Sequence, residues 1–92
     1  MNKLDLLNKV ARVARPSHHE FIPLASLEEK FAESCLDSMD MLMVGMYMCE
    51  IYDVENEISK LLNPEDGVQL YAFLEEHGTP PVSIEAAMEV IK

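Results

Sequence analysis

The segment from residue 38 to residue 52 constrains the fold more than any other part of this chain. It contains no proline, and beyond its first residue only Asp40, Gly45 and Glu50 interrupt an otherwise apolar run. An uninterrupted run of this length with helix-compatible residues predicts one α-helix over residues 38–52. The fold must therefore cover a helix that is apolar on more than one side.

Two rows of apolar side chains follow this helix at helical spacing. The first row is Met41, Val44, Met48 and Ile51. The second row is Met39, Leu42, Met46 and Cys49. Burying the first row in a small bundle leaves much of the second facing outward, where flexible methionines suit an interaction surface or the lining for a guest molecule. A central helix covered on both sides by extra elements is the alternative, and the sequence leaves both open.

A short polar motif, Asp37-Ser38-Met39-Asp40, precedes the apolar run. Asp37 is a favoured N-cap residue and Asp40 occupies the capping-box position, so Ser38 is predicted to be the first helical residue. A helix start offers unpaired N–H groups and a positive dipole end, which would favour a phosphodiester on the Ser38 oxygen. The two aspartates argue against a free phosphate ion and favour a covalent attachment, or acidic side chains read by a basic partner. A plain helix cap is the simpler interpretation of the motif alone.

Length and charge narrow the class of protein. Ninety-two residues predict a single domain over residues 1–92, and 17 acidic against 7 basic residues give a formal charge of −10. This charge argues against nucleic acid and anionic membrane surfaces as partners. No apolar run reaches transmembrane length. Charged residues interrupt the apolar residues of the first fifteen positions, whereas a secretory signal has an unbroken apolar core. Two cysteines, Cys35 and Cys49, are too few for a disulfide framework, so we expect reduced thiols in a cytoplasmic protein.

Four further segments carry helix or loop signals. Helical spacing of apolar residues predicts a first helix over residues 2–15, which Pro16 ends. Residues 16–36 are predicted to form a long loop pinned to the core by scattered apolar side chains, with Ser26 and Glu29 capping one short turn.

After Asp53 the sequence predicts a short helix over residues 55–62 and another over residues 64–77, opened by Pro64 and stopped by Gly78 at C′. Ser83 is predicted to cap a last helix whose buried face is Ile84, Ala87, Met88 and Ile91. No strand pattern appears, so the fold class is all-α, a bundle of four or five helices.

This order of elements resembles the acyl carrier protein family over most of the chain. The segment from Phe31 to Asp40 is similar to the stretch leading into the family's D-S-L-D or D-S-M-D motif, and the distance from Ser38 to Tyr52 and Asp53 matches the family's spacing. Residues 83–91 are similar to the family's last helix. The resemblance implies a four-helix carrier fold with a long loop after helix one and an additional helix inserted before the last.

The resemblance also implies a function for Ser38, the attachment of 4′-phosphopantetheine taken from coenzyme A by a phosphopantetheinyl transferase. The chain would then be a monomeric carrier without catalytic activity of its own. It would deliver acyl thioesters to partner enzymes of fatty acid, lipid or polyketide biosynthesis. The residues expected to meet those partners, through basic or apolar docking surfaces, are Asp37, Met39, Asp40, Leu42, Met46 and Glu50. The apolar helix favours an aliphatic cargo, with Met41, Val44 and Met48 lining a pocket.

Four features depart from the family pattern and indicate a specialised member. Met43 and Cys49 stand where acidic residues are common, which makes the expected docking face less charged. Cys35 replaces a glycine, either changing the backbone or filling a core gap, and residues 63–81 look like an insertion.

Other functions are compatible with parts of the sequence. An aminoacyl or peptidyl carrier of a nonribosomal pathway would share the serine chemistry. A helical adaptor that binds a partner through the methionine row would need no modification at all. A hydrolase would require a base beside Ser38, and His18, His19 or His77 could reach it only through the fold. The adjacent His18 and His19 lack the spacing of a metal site.

Overall fold

The computed structural model describes residues 2–91, and within them the chain forms five α-helices and no β-strand. Their bounds are α1, Lys3–Ala14; α2, Ser38–Ile51; α3, Asn56–Ser59; α4, Gly67–His77; and α5, Ile84–Val90. A 3₁₀ helix, Phe31–Glu33, lies in the long connection before α2. The all-α prediction is confirmed.

Helix α1 is amphipathic, and its caps explain its bounds. The Asn2 side chain accepts a hydrogen bond from the Asp5 N–H, and the chain becomes extended at Arg15, one residue before Pro16. The side chains on its inner face are fully buried: Leu6, Leu7, Val10 and Ala11. This face packs mainly against α2.

The long connection between α1 and α2 is pinned to the core, as its scattered apolar residues predicted. Leu24 and Phe31 are buried, and the Asn8 side chain bonds both the N–H and the carbonyl of Leu24, at 2.7 and 3.1 Å. The predicted turn forms, with the Glu29 N–H bonded to the Ser26 carbonyl at 3.4 Å, but the predicted cap is wrong, because the Glu29 carboxylate accepts from the Ala25 N–H at 2.8 Å instead of from Ser26. The 3₁₀ helix was not predicted from the sequence.

Two predicted bounds were wrong because tertiary contacts override the local signals. Pro64 does not open α4: the Phe31 N–H bonds the Glu65 carbonyl at 2.9 Å, and Asp66 forms an isolated antiparallel bridge with Lys30. The backbone is therefore extended at Asp66, whose side chain caps Gln69 N–H at 2.9 Å, and the helix begins three residues later than predicted.

The short third helix was also overestimated. It ends at Ser59, and the chain continues in tight turns in which the Leu61 and Leu62 N–H groups bond the carbonyls of Ile58 and Ser59. Such bonds to the third preceding residue close a turn instead of extending an α-helix.

Gly78 ends α4 by a different mechanism from the one predicted. Its backbone is extended, with φ −140° and ψ −169°, so it is the C-cap and does not use the left-handed conformation. Glycine is required by proximity, because a Cβ atom there would lie 2.5 Å from the Tyr52 carbonyl oxygen. Gly78 thereby lets the end of α4 pack against the end of α2.

The segment predicted to be an insertion contributes to the core. Leu70, Tyr71 and Leu74 of α4 are buried, and the Tyr71 hydroxyl donates to the Lys3 carbonyl at 2.6 Å, which ties α4 to the start of α1. Helix α5 packs against α1 and α2, begins after a Ser83 cap as predicted, and buries Ala87. No helix within residues 2–91 is both long and apolar enough to cross a membrane.

Candidate functional site

The first turn of α2 is fixed by a reciprocal pair of hydrogen bonds. Asp37 Oδ1 accepts from the Asp40 N–H at 2.8 Å, and Asp40 Oδ2 accepts from the Asp37 N–H at 3.2 Å. This is the capping box that the motif predicted, and it makes Ser38 the first helical residue. The Ser38 backbone therefore lies between the two residues that these hydrogen bonds join.

Ser38 itself is exposed. Its hydroxyl makes no hydrogen bond to any residue in the range 2–91. None of His18, His19 and His77 forms a hydrogen bond with the Ser38 hydroxyl within the described residues. The hydroxyl is free for an external reagent.

Asp40 differs from what the motif predicted. We expected it to face partners, but its side chain is only 5 % exposed and accepts a hydrogen bond from Arg15 Nη1 at 2.7 Å. The physical reason is that Arg15 lies at the end of α1, which packs against α2 and brings a guanidinium to the carboxylate. Asp37 in the motif and Glu50 near the end of α2 are both exposed, so a partner can reach these two carboxylates.

The outer row of α2 is open to solvent over most of its length. Met39, Leu42 and Met46 are 68, 58 and 51 % exposed, so neither α4 nor α5 covers them. Cys49, predicted to continue this row, is buried instead. Its carbonyl accepts the Val54 N–H at 2.9 Å after the chain reverses at Asp53, whose φ is 56°. We refer to Met39, Leu42 and Met46 as the exposed apolar row.

An apolar groove of about 330 Å³ begins at Ser38. One wall is α2, and the other is the segment from α3 to α4. The residues that line it are Ser38, Met41, Leu42, Gly45, Met46, Ser59, Leu62, Asn63, Pro64 and Leu70. Its volume is within the range of about 300–1,000 Å³ that is typical of small-molecule sites.

The groove is not the pocket that the sequence predicted. Met41 lines it, but Val44 and Met48 are fully buried in the core and do not. Gly45 and Leu62 were missed, although the cost of a glycine inside a helix is a reason to look for close packing there. A Cβ atom at Gly45 would lie 3.3 Å from Leu62 Cδ2, so the missing side chain gives the groove part of its width.

Both cysteines are free thiols, and each has a structural contact. Cys35 Sγ accepts from the Ile22 N–H at 3.4 Å and donates to the Ile22 carbonyl at 3.6 Å, which holds the long connection near the start of α2. Burial raises the pKa of the Cys49 thiol. Within residues 2–91, no three His, Cys, Asp or Glu side chains are grouped as metal ligands would be, and the His18 ring packs edge-on against the His19 ring.

Comparisons with known proteins give no assignment. No family model, curated protein sequence or solved structure matches this chain. The site therefore has to be interpreted from its own geometry and from the resemblance carried by the motif.

Proposed function

We propose that this chain is a carrier protein of the acyl carrier protein type, modified on Ser38 with 4′-phosphopantetheine. The observation that carries the proposal is the position of the Ser38 hydroxyl. It is exposed, has no hydrogen bond within the described residues, belongs to the first helical residue between the two aspartates of a capping box, and borders an apolar groove. An unpaired hydroxyl with this support suits covalent attachment of a flexible group.

The residues at Ser38 fit such an arm. The helix start supplies a favourable dipole for a phosphodiester, and Asp40 adds no exposed negative charge because Arg15 pairs with it. When bound, the arm supplies a terminal thiol that holds an acyl group as a thioester. In the modification, the Ser38 oxygen forms the new bond to phosphorus and its proton passes to a base of the transferase. The phosphoanhydride bond of coenzyme A breaks, and adenosine 3′,5′-bisphosphate leaves.

The groove favours an aliphatic acyl group over an aminoacyl group. Its walls are dominated by Met41, Leu42, Met46, Leu62 and Leu70, and no charged side chain lines it. A polar aminoacyl group would lose hydrogen bonds to water there without replacing them. Partner enzymes of fatty acid, lipid or polyketide synthesis would then remove the acyl chain from the groove before using it.

The exposed apolar row is the surface we propose for those partners. Met39 is adjacent to Ser38, and the row ends near Glu50, so a bound partner would lie over the attachment site. With Asp40 buried, the contact would depend on apolar burial, with Asp37 and Glu50 contributing charges at its two ends.

The proposal is tested by modification in vitro. The purified protein is incubated with coenzyme A and a phosphopantetheinyl transferase of broad specificity, and intact mass is measured. Wild type and the matched control Ser59→Ala, which changes another serine of the same groove, should each gain one arm, while Ser38→Ala should gain none. An unmodified wild type beside a fully modified control carrier would contradict the proposal.

A helical adaptor is the second candidate, and the exposure of Met39, Leu42 and Met46 favours it. An adaptor would bind a partner helix, or a second copy of itself, without modification. Light scattering that shows a tight dimer, weakened by Met39→Asp or Met46→Asp and unaffected by Ser38→Ala, would favour the adaptor. A monomer that acquires the arm would favour the carrier.

A further inference from the structure

Arg15 joins three parts of the chain at the site. Its backbone caps the end of α1, its Nε donates to the Glu20 carbonyl in the long connection, and its Nη1 donates to Asp40 in the first turn of α2. The Arg15 side chain is 14 % exposed and that of Asp40 is 5 % exposed. Two charges this well shielded from water interact more strongly than a surface pair.

One oxygen of Asp40 performs two roles. Oδ2 accepts both the Arg15 Nη1 hydrogen bond and the Asp37 N–H of the capping box. The guanidinium therefore holds the carboxylate in the position that the helix cap requires. Without Arg15, Asp40 would be a buried carboxylate with no cation beside it, and it would move toward water. That movement would break the capping box and leave Ser38 less well ordered.

We propose that Arg15 is a positioning residue for modification of Ser38, acting through Asp40 and the capping box. The inference rests on the proposed function. It also divides the motif by role: Asp40 organises the helix start from inside the protein, and Asp37 is the aspartate that a transferase can contact. The opposing account is that the transferase reads the charge of Asp40 directly.

Substitutions distinguish these two accounts. Arg15→Met leaves the Asp40 charge in place but removes its partner, so positioning predicts slower modification and direct recognition does not. Asp40→Asn removes the charge but keeps an oxygen that can accept the Asp37 N–H, so positioning predicts only a small loss. The double variant Arg15→Met with Asp40→Asn contains no unpaired buried charge and should recover much of the rate that Arg15→Met loses.

The experiment measures kcat/KM for coenzyme A-dependent modification at a temperature where circular dichroism shows every variant folded. We expect a loss of roughly tenfold for Arg15→Met, less than about threefold for Asp40→Asn, and recovery to near the Asp40→Asn value in the double variant. Leu74→Ala is the control for general destabilisation. It removes a fully buried side chain of α4, one turn before Gly78, which lies beside Tyr52 at the other end of α2, and should lower Tm without slowing modification.

Hydrogen exchange supplies a second readout that does not depend on the transferase. The Asp40 and Met41 amides, which bond Asp37, should exchange faster in Arg15→Met, while the Tyr52 amide at the far end of α2 should not change. Unchanged exchange at Asp40 and Met41, wild-type modification of folded Arg15→Met, or no recovery in the double variant would overturn the inference. A wild-type protein that is never modified would instead refute the proposed function, and the exchange data would still decide whether Arg15 holds the turn.

Discussion

Replacing Gly45 with alanine should stabilise the protein and narrow its groove, so that an acyl chain binds there less well. Gly45 lies inside α2, where alanine is favoured over glycine by about 1 kcal/mol in helix propensity. The new Cβ would lie 3.3 Å from Leu62 Cδ2, closer than the carbon–carbon optimum of about 3.5–4.0 Å. Leu62 is half-buried and borders the groove, so it can retreat by a few tenths of an ångström.

The expected net gain is therefore about 0.5–1 kcal/mol. For a domain of this size, that gain raises Tm by roughly 2–8 °C. Ala72→Gly, the reverse change at an exposed position of α4, is the calibration and should lower Tm by a similar amount. Thermal unfolding followed by circular dichroism measures both.

The functional half of the prediction uses protein loaded from octanoyl-coenzyme A. An acyl chain that enters the groove binds only the folded state, so loading should raise the Tm of wild type. In Gly45→Ala the added methyl narrows the groove at Leu62, so loading should raise Tm less. A lower Tm for unloaded Gly45→Ala would show that Leu62 cannot yield, and an equal gain on loading would show that the acyl chain lies elsewhere. Either result would refute this reasoning.

Four further substitutions test the packing. Met48→Ala should cost about 2–5 kcal/mol because Met48 is fully buried, whereas Leu42→Ala, on the exposed apolar row, should change stability by less than about 0.5 kcal/mol; denaturant titration measures both. Gly78→Ala should lower stability by about 1–3 kcal/mol, because its Cβ would lie 2.5 Å from the Tyr52 carbonyl oxygen; an unchanged Tm would contradict this. Burial raises the pKa of Tyr71, and Tyr52 and Glu75 raise it further, so as pH rises past about 10 the unfolded chain loses the phenol proton before the folded protein does. The folded protein should therefore lose stability as pH rises above about 10. The fall in Tm over this pH range should be smaller in Tyr71→Phe than in wild type.

The parts of the site that the sequence predicted correctly depend on short-range rules. The capping box needs only Asp37 and Asp40, three residues apart, and the structure has both of its hydrogen bonds. The two rows of α2 follow from helical periodicity alone, which correctly separates Val44 and Met48 from Met39 and Leu42. Both predictions use one helix and no knowledge of its neighbours.

The errors arise where distant segments meet. Arg15 is 25 residues from Asp40, so nothing in the motif shows that this aspartate is buried. The start of α4 depends on a backbone hydrogen bond from Phe31 to Glu65, which local rules about proline do not consider. The groove likewise forms between α2 and residues that follow α3, so Gly45 and Leu62 become neighbours only in the folded chain.

The mass of the protein isolated from the cells that naturally make it tests the central claim most directly. Fragmentation of the peptide that contains Ser38 locates any modification to a single residue. The account predicts that most of the protein carries one phosphopantetheine arm, attached to Ser38, with a fraction bearing an acyl group that hydroxylamine removes. Protein whose Ser38 is unmodified, in cells whose other carrier proteins bear the arm, would contradict it.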